Sequence, residues 1–141
     1  MKKGLRKLLC ASIVGASILS TTCIAYATGD AIASKNVMSF NTSSGNLTWY
    51  FDSRINSWRI HNNEQGLGDC WIFDNGKWYF ISQAGVMVKN TVVYDSKNST
   101  SYYMQEDGSM LTNGYCTLVT GSGGFKWKAY ADAAGKLTPI N

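Results

Sequence analysis

Proline, histidine and charged residues are scarce in this 141-residue chain, which has one Pro, one His and 16% charged residues. The charges are scattered singly, which excludes the clustered positive surface that nucleic-acid binding requires. His61 stands among Asn62, Asn63 and Glu64 in a predicted loop, with no nucleophile or acid at a recognisable spacing. We therefore predict no enzyme activity, no catalytic residues, no metal ligands and no cofactor.

The first 27 residues have the pattern of a secretory signal peptide. Four of the 13 Lys and Arg precede an apolar run at residues 8–19, and Ala25-Tyr26-Ala27 provides a cleavage site. Cleavage leaves nine positive residues against nine Asp and Glu, so the net charge falls from +4 to zero. We expect a secreted chain without membrane contact after cleavage. An uncleaved anchor and lipidation at Cys23 are the alternatives.

Aromatic residues are the abundant class, with 5 Trp, 8 Tyr and 5 Phe. Residues 28–48 are small and polar with one ring, Phe40, so this segment is predicted to be a linker or a loosely ordered N-terminal arm. The dense ring pattern begins at Trp49 and recurs with a period that indicates a repeat array. We identify four units, at residues 49–68, 71–87, 94–110 and 114–138.

The second and third units show the strongest self-similarity. Aligning WIFDNGKWYFISQAGVM with YDSKNSTSYYMQEDGSM places Trp71 over Tyr94 and Met87 over Met110. Each unit is predicted to be a β-hairpin, because its arms are rich in aromatic and β-branched residues and Asn-Gly at 75–76 favours a tight turn. A hairpin alone is marginally stable in water, so consecutive units are expected to stack.

These units resemble the cell-wall-binding repeat superfamily, which includes the choline-binding and glucan-binding repeats of secreted bacterial proteins. The order Gly-Trp, Trp-Tyr-Tyr and Gly-x-Met appears here as Cys70-Trp71, Trp78-Tyr79-Phe80 and Gly85-Val86-Met87. The resemblance covers roughly residues 49–139 and departs from the pattern at Cys70, where the family has Gly. It implies an all-β fold of short stacked hairpins forming an elongated β-solenoid. It also implies a non-catalytic module at the cell wall or cell surface, with a choline-bearing or glycan polymer as partner.

The resemblance further implies where a ligand binds. Rings from consecutive hairpins can surround a quaternary ammonium cation or stack on a sugar ring. One implied site combines Trp71 and Trp78 with Tyr102 or Tyr103, closed by Met87 or Met110. A second implied site combines Tyr94, Tyr102 and Trp127. In the alternative interpretation all these rings form the core, and the chain is a structural repeat with a protein partner.

Only two cysteines, Cys70 and Cys116, follow the predicted cleavage site. They occupy similar positions in units two steps apart, which places them about 20 Å apart in a regular array. A disulfide requires Cα atoms within about 7 Å. We therefore predict two unpaired thiols.

Overall fold

The computed structural model describes residues 23–25, 32–34, 38–120 and 124–140, which form β-strands and one 3₁₀ turn at Thr42–Ser44. The strands are β1 (Cys23–Ala25), β2 (Ile32–Ser34), β3 (Met38–Asn41), β4 (Leu47–Asp52), β5 (Ser57–Asn62), β6 (Gln65–Gly66), β7 (Cys70–Asp74), β8 (Lys77–Ile81), β9 (Thr91–Asp95), β10 (Thr100–Met104), β11 (Gly114–Thr120), β12 (Phe125–Ala131) and β13 (Leu137–Ile140). These ranges contain no α-helix, and the all-β prediction is confirmed. Nor do they contain a helix with the length and hydropathy needed to span a membrane.

Antiparallel pairing divides the strands into four hairpins. The first hairpin contains β4, β5 and β6, the second β7 and β8, the third β9 and β10, and the fourth β11, β12 and β13. Each of the last three hairpins gains a parallel strand on its outer edge, since β3 pairs with β7, β2 with β9 and β1 with β11. Small hairpin sheets are therefore the building block of this fold.

The N-terminal segments contribute to these sheets. Strands β2 and β3 lie within residues 28–48, where the composition indicated a linker, and β4 begins at Leu47, two residues before the predicted start of the first unit. Strand β1 lies within the predicted signal peptide, and the rest of that leader lies outside the described residues. Whether residues 1–27 are cleaved remains a prediction from the sequence.

The turn of the second hairpin has the conformation that its sequence predicts. Asn75 and Gly76 both have positive φ, 48° and 79°, which confirms the tight Asn-Gly turn. The third hairpin has a longer turn, where the Asp95 carboxylate accepts hydrogen bonds from the backbone N–H groups of Lys97 and Asn98. The two hairpins therefore differ by two residues in the turn and agree in their strands.

This difference in turn length corrects the predicted alignment of Trp71 with Tyr94. Trp71 is paired with Phe80 across the second hairpin, and the corresponding pair of the third hairpin is Val92 with Tyr103. The alignment is wrong by two residues, because it assigned to the strand an offset that lies in the turn. Val92 is the structural counterpart of Trp71.

The core consists of three layers, each between two consecutive hairpins. The first core layer contains Ile60, Cys70, Ile72, Ile81 and Met87; the second contains Trp71, Phe80, Val88, Val93 and Met104; the third contains Tyr103, Leu111, Cys116, Leu118, Ala129, Ala131 and Leu137. Side chains alternate along a strand, so Phe80 packs in the second layer while Tyr79 packs against the first. Burial therefore occurs between hairpins and not within one.

Turn glycines allow consecutive hairpins to approach closely. Gly108 and Gly135 have φ of 84° and 80°, a region that favours glycine. A Cβ atom on Gly108 would lie 2.5 Å from the Met87 side chain, and one on Gly135 would lie 2.6 Å from that of Met110. Each methionine therefore packs directly on the turn glycine of the next hairpin.

The two cysteines lie in different parts of the core. Cys70 belongs to the first core layer and Cys116 to the third, and no disulfide joins them. Burial raises the pKa of the Cys70 thiol to about 11, and the charge of Asp69 adds to the rise. The neutral thiol is therefore favoured in the folded state.

We expect the Cys70 thiol of the folded protein to resist alkylation by iodoacetamide at pH 8 and to react after unfolding in guanidinium, since only the accessible thiolate is nucleophilic. Because the folded pKa lies above the ordinary value of 9, this group's contribution to stability is present below about pH 9 and is lost as the pH rises towards 11. Mass mapping of the alkylated peptide measures the reaction. Equal alkylation of Cys70 in both states would contradict its burial.

Candidate ligand-binding clefts

Two clefts of the same construction lie along the hairpins. The first cleft is lined by Trp49, Trp58, Tyr79 and Met87. The second cleft is lined by Trp71, Trp78, Tyr102 and Met110. In each, two rings come from one hairpin, and one ring and a methionine come from the next. Their volumes are about 330 Å³ and 230 Å³.

The ring geometry is nearly the same in both clefts. Trp49 and Tyr79 have ring centroids 5.4 Å apart and planes at 71°, while Trp71 and Tyr102 are 5.2 Å apart at 73°. Both are edge-to-face pairs, a favoured arrangement for aromatic side chains. Rings from consecutive hairpins thus form two walls that meet almost at right angles.

Backbone hydrogen bonds fix the methionine of each cleft. The Met87 N–H donates to the Trp58 carbonyl at 2.8 Å, and the Met110 N–H donates to the Trp78 carbonyl at 2.7 Å. Each Gly-x-Met turn is therefore attached to the second strand of the preceding hairpin. This attachment holds the thioether beside the tryptophan that forms the third wall.

The cleft side chains divide into buried and accessible ones. Trp71 is only 7% exposed and belongs to the second core layer, whereas Trp58 is 40% exposed. The half-buried rings are Trp49, Trp78, Tyr79 and Tyr102. Each cleft therefore has rings that a ligand in solution can reach, supported by side chains that also stabilise the fold.

Two carboxylates stand at the rim of the first cleft, Asp74 and Asp107. Asp74 accepts a hydrogen bond of 3.2 Å from the Trp49 indole Nε1, which orients that ring. Burial raises the pKa of Tyr79, and the charges of Asp107 and Asp74 add to the rise. The field in the first cleft is therefore negative.

The rim of the second cleft has Ser39, Asp95, Asn98 and Ala134. Asp95 is buried, and its carboxylate accepts hydrogen bonds from Lys97 and Asn98. Ser39 comes from β3, where it lies opposite Trp71 in the parallel register. The N-terminal strand thus forms part of this cleft.

Four of the residues that the family resemblance implied are together in the second cleft: Trp71, Trp78, Tyr102 and Met110. Met87 lies in the first cleft instead. Tyr103 is almost fully buried in the third core layer, on the opposite side of its hairpin from Tyr102. Of the two alternatives at each position, the structure places Tyr102 and Met110 beside the tryptophans.

The second implied group of rings is not assembled. Tyr94 is paired with Ser101 and Tyr102 with Val93, so these two tyrosines lie on opposite faces of the third hairpin. Trp127 packs against the third core layer. Tyr94, Tyr102 and Trp127 therefore do not share one cleft.

Hairpins three and four do not form a third cleft of this kind within the described residues. The counterparts of the cleft residues there are Val92, Ser101, Ala129 and Leu137. Ala129 is fully buried, and it takes the place that Tyr79 and Tyr102 have in the two clefts. The aromatic construction thus ends with the third hairpin.

Three residues of the first cleft, Trp49, Trp58 and Tyr79, were absent from the sites implied by the sequence. The repeat spacing contains the signal, because Tyr79 precedes Tyr102 by 23 residues, as Met87 precedes Met110. Applying that offset to the whole second cleft identifies the first.

The single histidine lies in a strand and not in the predicted loop. His61 is in β5, half-buried, with its ring centroid 4.4 Å from that of Tyr50. No cluster of three or more His, Cys, Asp or Glu side chains suited to a metal ion occurs in the part of the chain that the structure describes.

Hairpins joined by Gly-x-Met turns, with rings of two consecutive hairpins around each cleft, define an all-β aromatic repeat. Residues 69–115 match the family model of the choline-binding repeat. This match confirms the resemblance to cell-wall-binding repeats that the sequence motifs indicated. No curated protein sequence matched the chain.

Several solved structures are similar to this chain. A multimodular pneumococcal cell-wall endolysin from phage Cp-1, complexed with choline, is 24% identical over 66% of this chain and 25% of its own, with a TM-score of 0.49. The choline-binding domain of Spr1274 in Streptococcus pneumoniae is 20% identical over 64% of this chain and 92% of its own, with a TM-score of 0.47. Truncated alternansucrase from Leuconostoc mesenteroides is 24% identical over 64% of this chain and 8% of its own, with a TM-score of 0.49. The chain spans about a quarter of the endolysin, and with TM-scores below 0.5 none of these likenesses bears on the ligand.

Proposed function

We propose that this protein is a secreted, non-catalytic module that attaches to a cell-surface polymer, either choline-bearing teichoic acid or a glucan, through its two aromatic clefts. In this proposal the hairpins stack into an elongated β-solenoid, and the chain acts at the cell wall or cell surface. The match of residues 69–115 to choline-binding repeats supports the class of function. The observation that carries the proposal is the repetition of one cleft geometry in two places.

Ring-lined clefts suit both classes of polymer. A quaternary ammonium group has no N–H to donate, so it is held by the negative faces of aromatic rings, worth about 0.5–2 kcal/mol for each contact. A pyranose presents an apolar C–H face that stacks on the same rings. Two clefts on one chain also allow two polymer units to bind at once, which raises the effective affinity by multivalency.

The exposure of the rings argues against the alternative of a structural repeat whose aromatics are all core. Trp58 is 40% exposed, although a packed strand position of a core would bury it. If the rings served only packing, choline and sugars would leave tryptophan fluorescence unchanged, and an aqueous quencher would not reach the indoles. Quenching of Trp58 that free ligand suppresses would support the binding function.

Retention on cell-surface polymers tests the proposal directly. We expect the purified protein to be retained on choline-bearing cell walls or on α-glucan, and to be eluted by the corresponding free ligand, because soluble ligand competes for the same rings. Walls prepared without choline provide the control for the first polymer, and an unrelated β-glucan provides it for the second. Absence of retention on either polymer would overturn the proposed function.

A further inference from the structure

We infer that the two clefts differ in ligand charge preference: the first cleft is selective for a quaternary ammonium cation, and Asp107 from the third hairpin is the residue that makes it so. This inference rests on the proposed function and names the ligand class of one of its clefts. It follows from a difference between two clefts that are otherwise alike.

The difference lies at one position of the rim. Asp107 directly precedes Gly108 in the turn that borders the first cleft, and Ala134 directly precedes Gly135 in the turn that borders the second. Both glycines pack on the methionine of their cleft. The two turns therefore have the same placement, with a carboxylate beside the first cleft and a methyl group beside the second.

The Asp107 carboxylate is positioned and ionised. One of its oxygens accepts hydrogen bonds from the Ser109 N–H at 2.9 Å and the Ser109 hydroxyl at 2.6 Å. Although partial burial opposes ionisation, these hydrogen bonds and the charge of Lys77 hold the pKa of Asp107 below its ordinary value. The second oxygen is left for a cation.

Lys77 is the present partner of that second oxygen, at 3.4 Å. The side chains of Lys77 and Asp107 are both 57% exposed, and an ion pair with this exposure is weak. A desolvated quaternary ammonium among the rings of the first cleft can therefore compete for Asp107. Lys77 adds only a flexible, solvated ammonium at the edge.

Other carboxylates do not create this difference. Asp74 and Asp95 end the first strands of the second and third hairpins, so each cleft has one of them. Asp95 is buried, with both carboxylate oxygens accepting hydrogen bonds from its own turn. Asp107 is thus the accessible negative charge that distinguishes the first cleft.

The test compares choline with its uncharged isostere 3,3-dimethylbutanol by titration calorimetry. A Trp78→Ala background disables the second cleft, so the titration measures the first. In that background, we expect Asp107→Asn to lower choline affinity about two- to fivefold, the range for a partly exposed charge pair, without changing affinity for the isostere. The loss should shrink in about 1 M NaCl, where exposed charges are screened.

Two further variants complete the test. Glu106→Gln removes an equal charge from the neighbouring exposed position, which does not line the cleft, and should leave choline affinity unchanged. In a Trp58→Ala background, which disables the first cleft, Ala134→Asp should raise the choline affinity of the second cleft by a similar factor. Equal effects of Asp107→Asn and Glu106→Gln, or an equal loss for choline and its isostere, would overturn the inference.

The outcomes separate this inference from the proposed function. If the protein binds choline and Asp107→Asn has no effect, charge selection by Asp107 is refuted while attachment through aromatic clefts stands. If neither cleft binds either probe and the protein is retained on neither walls nor glucan, the proposed function fails.

Discussion

Replacing Trp58 and Trp78 together by alanine is expected to abolish retention on the target polymer. The two residues are structural counterparts, since each accepts a hydrogen bond from the methionine N–H that closes its cleft. Their main-chain carbonyls remain in the variant, so the turns stay attached while one ring wall is lost from each cleft. Loss of one ring contact weakens each cleft by about 0.5–2 kcal/mol.

Linkage of the two clefts amplifies this effect. With both clefts weakened, the chain loses the multivalent gain as well as the contacts, so retention should disappear. Either single variant should keep one working cleft and bind with reduced avidity. The matched control is Tyr115→Ala, which removes a 63% exposed ring from the fourth hairpin, where no aromatic cleft lies among the described residues. Retention by the double variant, or an equal loss in the control, would show that the clefts are not the binding sites.

Phe80→Ala is expected to give the largest loss of stability, about 3–5 kcal/mol, which is the usual cost of removing a buried phenylalanine ring. Phe80 is fully buried in the second core layer and packs against Trp71 with ring centroids 5.0 Å apart. The substitution leaves a cavity between the second and third hairpins. A loss of this size is a large fraction of the stability of a small domain.

Urea denaturation, followed by circular dichroism, measures the change. The matched control is Phe51→Ala, because Phe51 is also a hairpin phenylalanine but is 47% exposed, and its loss should cost about 1 kcal/mol or less. Since Trp71 contributes to both the core and the second cleft, Phe80→Ala should also weaken ligand binding there. Similar losses of stability in the two variants would contradict the layered core.

Local chemistry allowed the sequence to predict the hairpins and their class. Asn75 and Gly76 determine a tight turn, since both need positive φ, and alternation along β8 determines that Tyr79 faces away from Trp78 and Phe80. The family order of rings, glycine and methionine was likewise visible in the residues. These features depend on neighbours within a few positions, which the sequence displays directly.

The pairing of rings into clefts depended on turn length and on contacts between hairpins. Two additional residues in the turn of the third hairpin shift Tyr94 away from the position of Trp71, and a linear alignment assigned that shift to the strand. The first cleft escaped notice because Trp49 and Trp58 belong to the unit with the weakest motif. Small and polar residues of β3 gave no sign that they would add a strand beside Trp71.

The sequence by itself determined an all-β repeat rich in aromatic hairpins, because turn chemistry and side-chain alternation are local. Tertiary structure alone decided that two clefts are complete, that Tyr103 is core while Tyr102 lines a cleft, and that Asp107 stands beside the rings of the first two hairpins. The physical reason is that each cleft is shared between hairpins. Its composition follows from how one hairpin packs on the next, which no single repeat specifies.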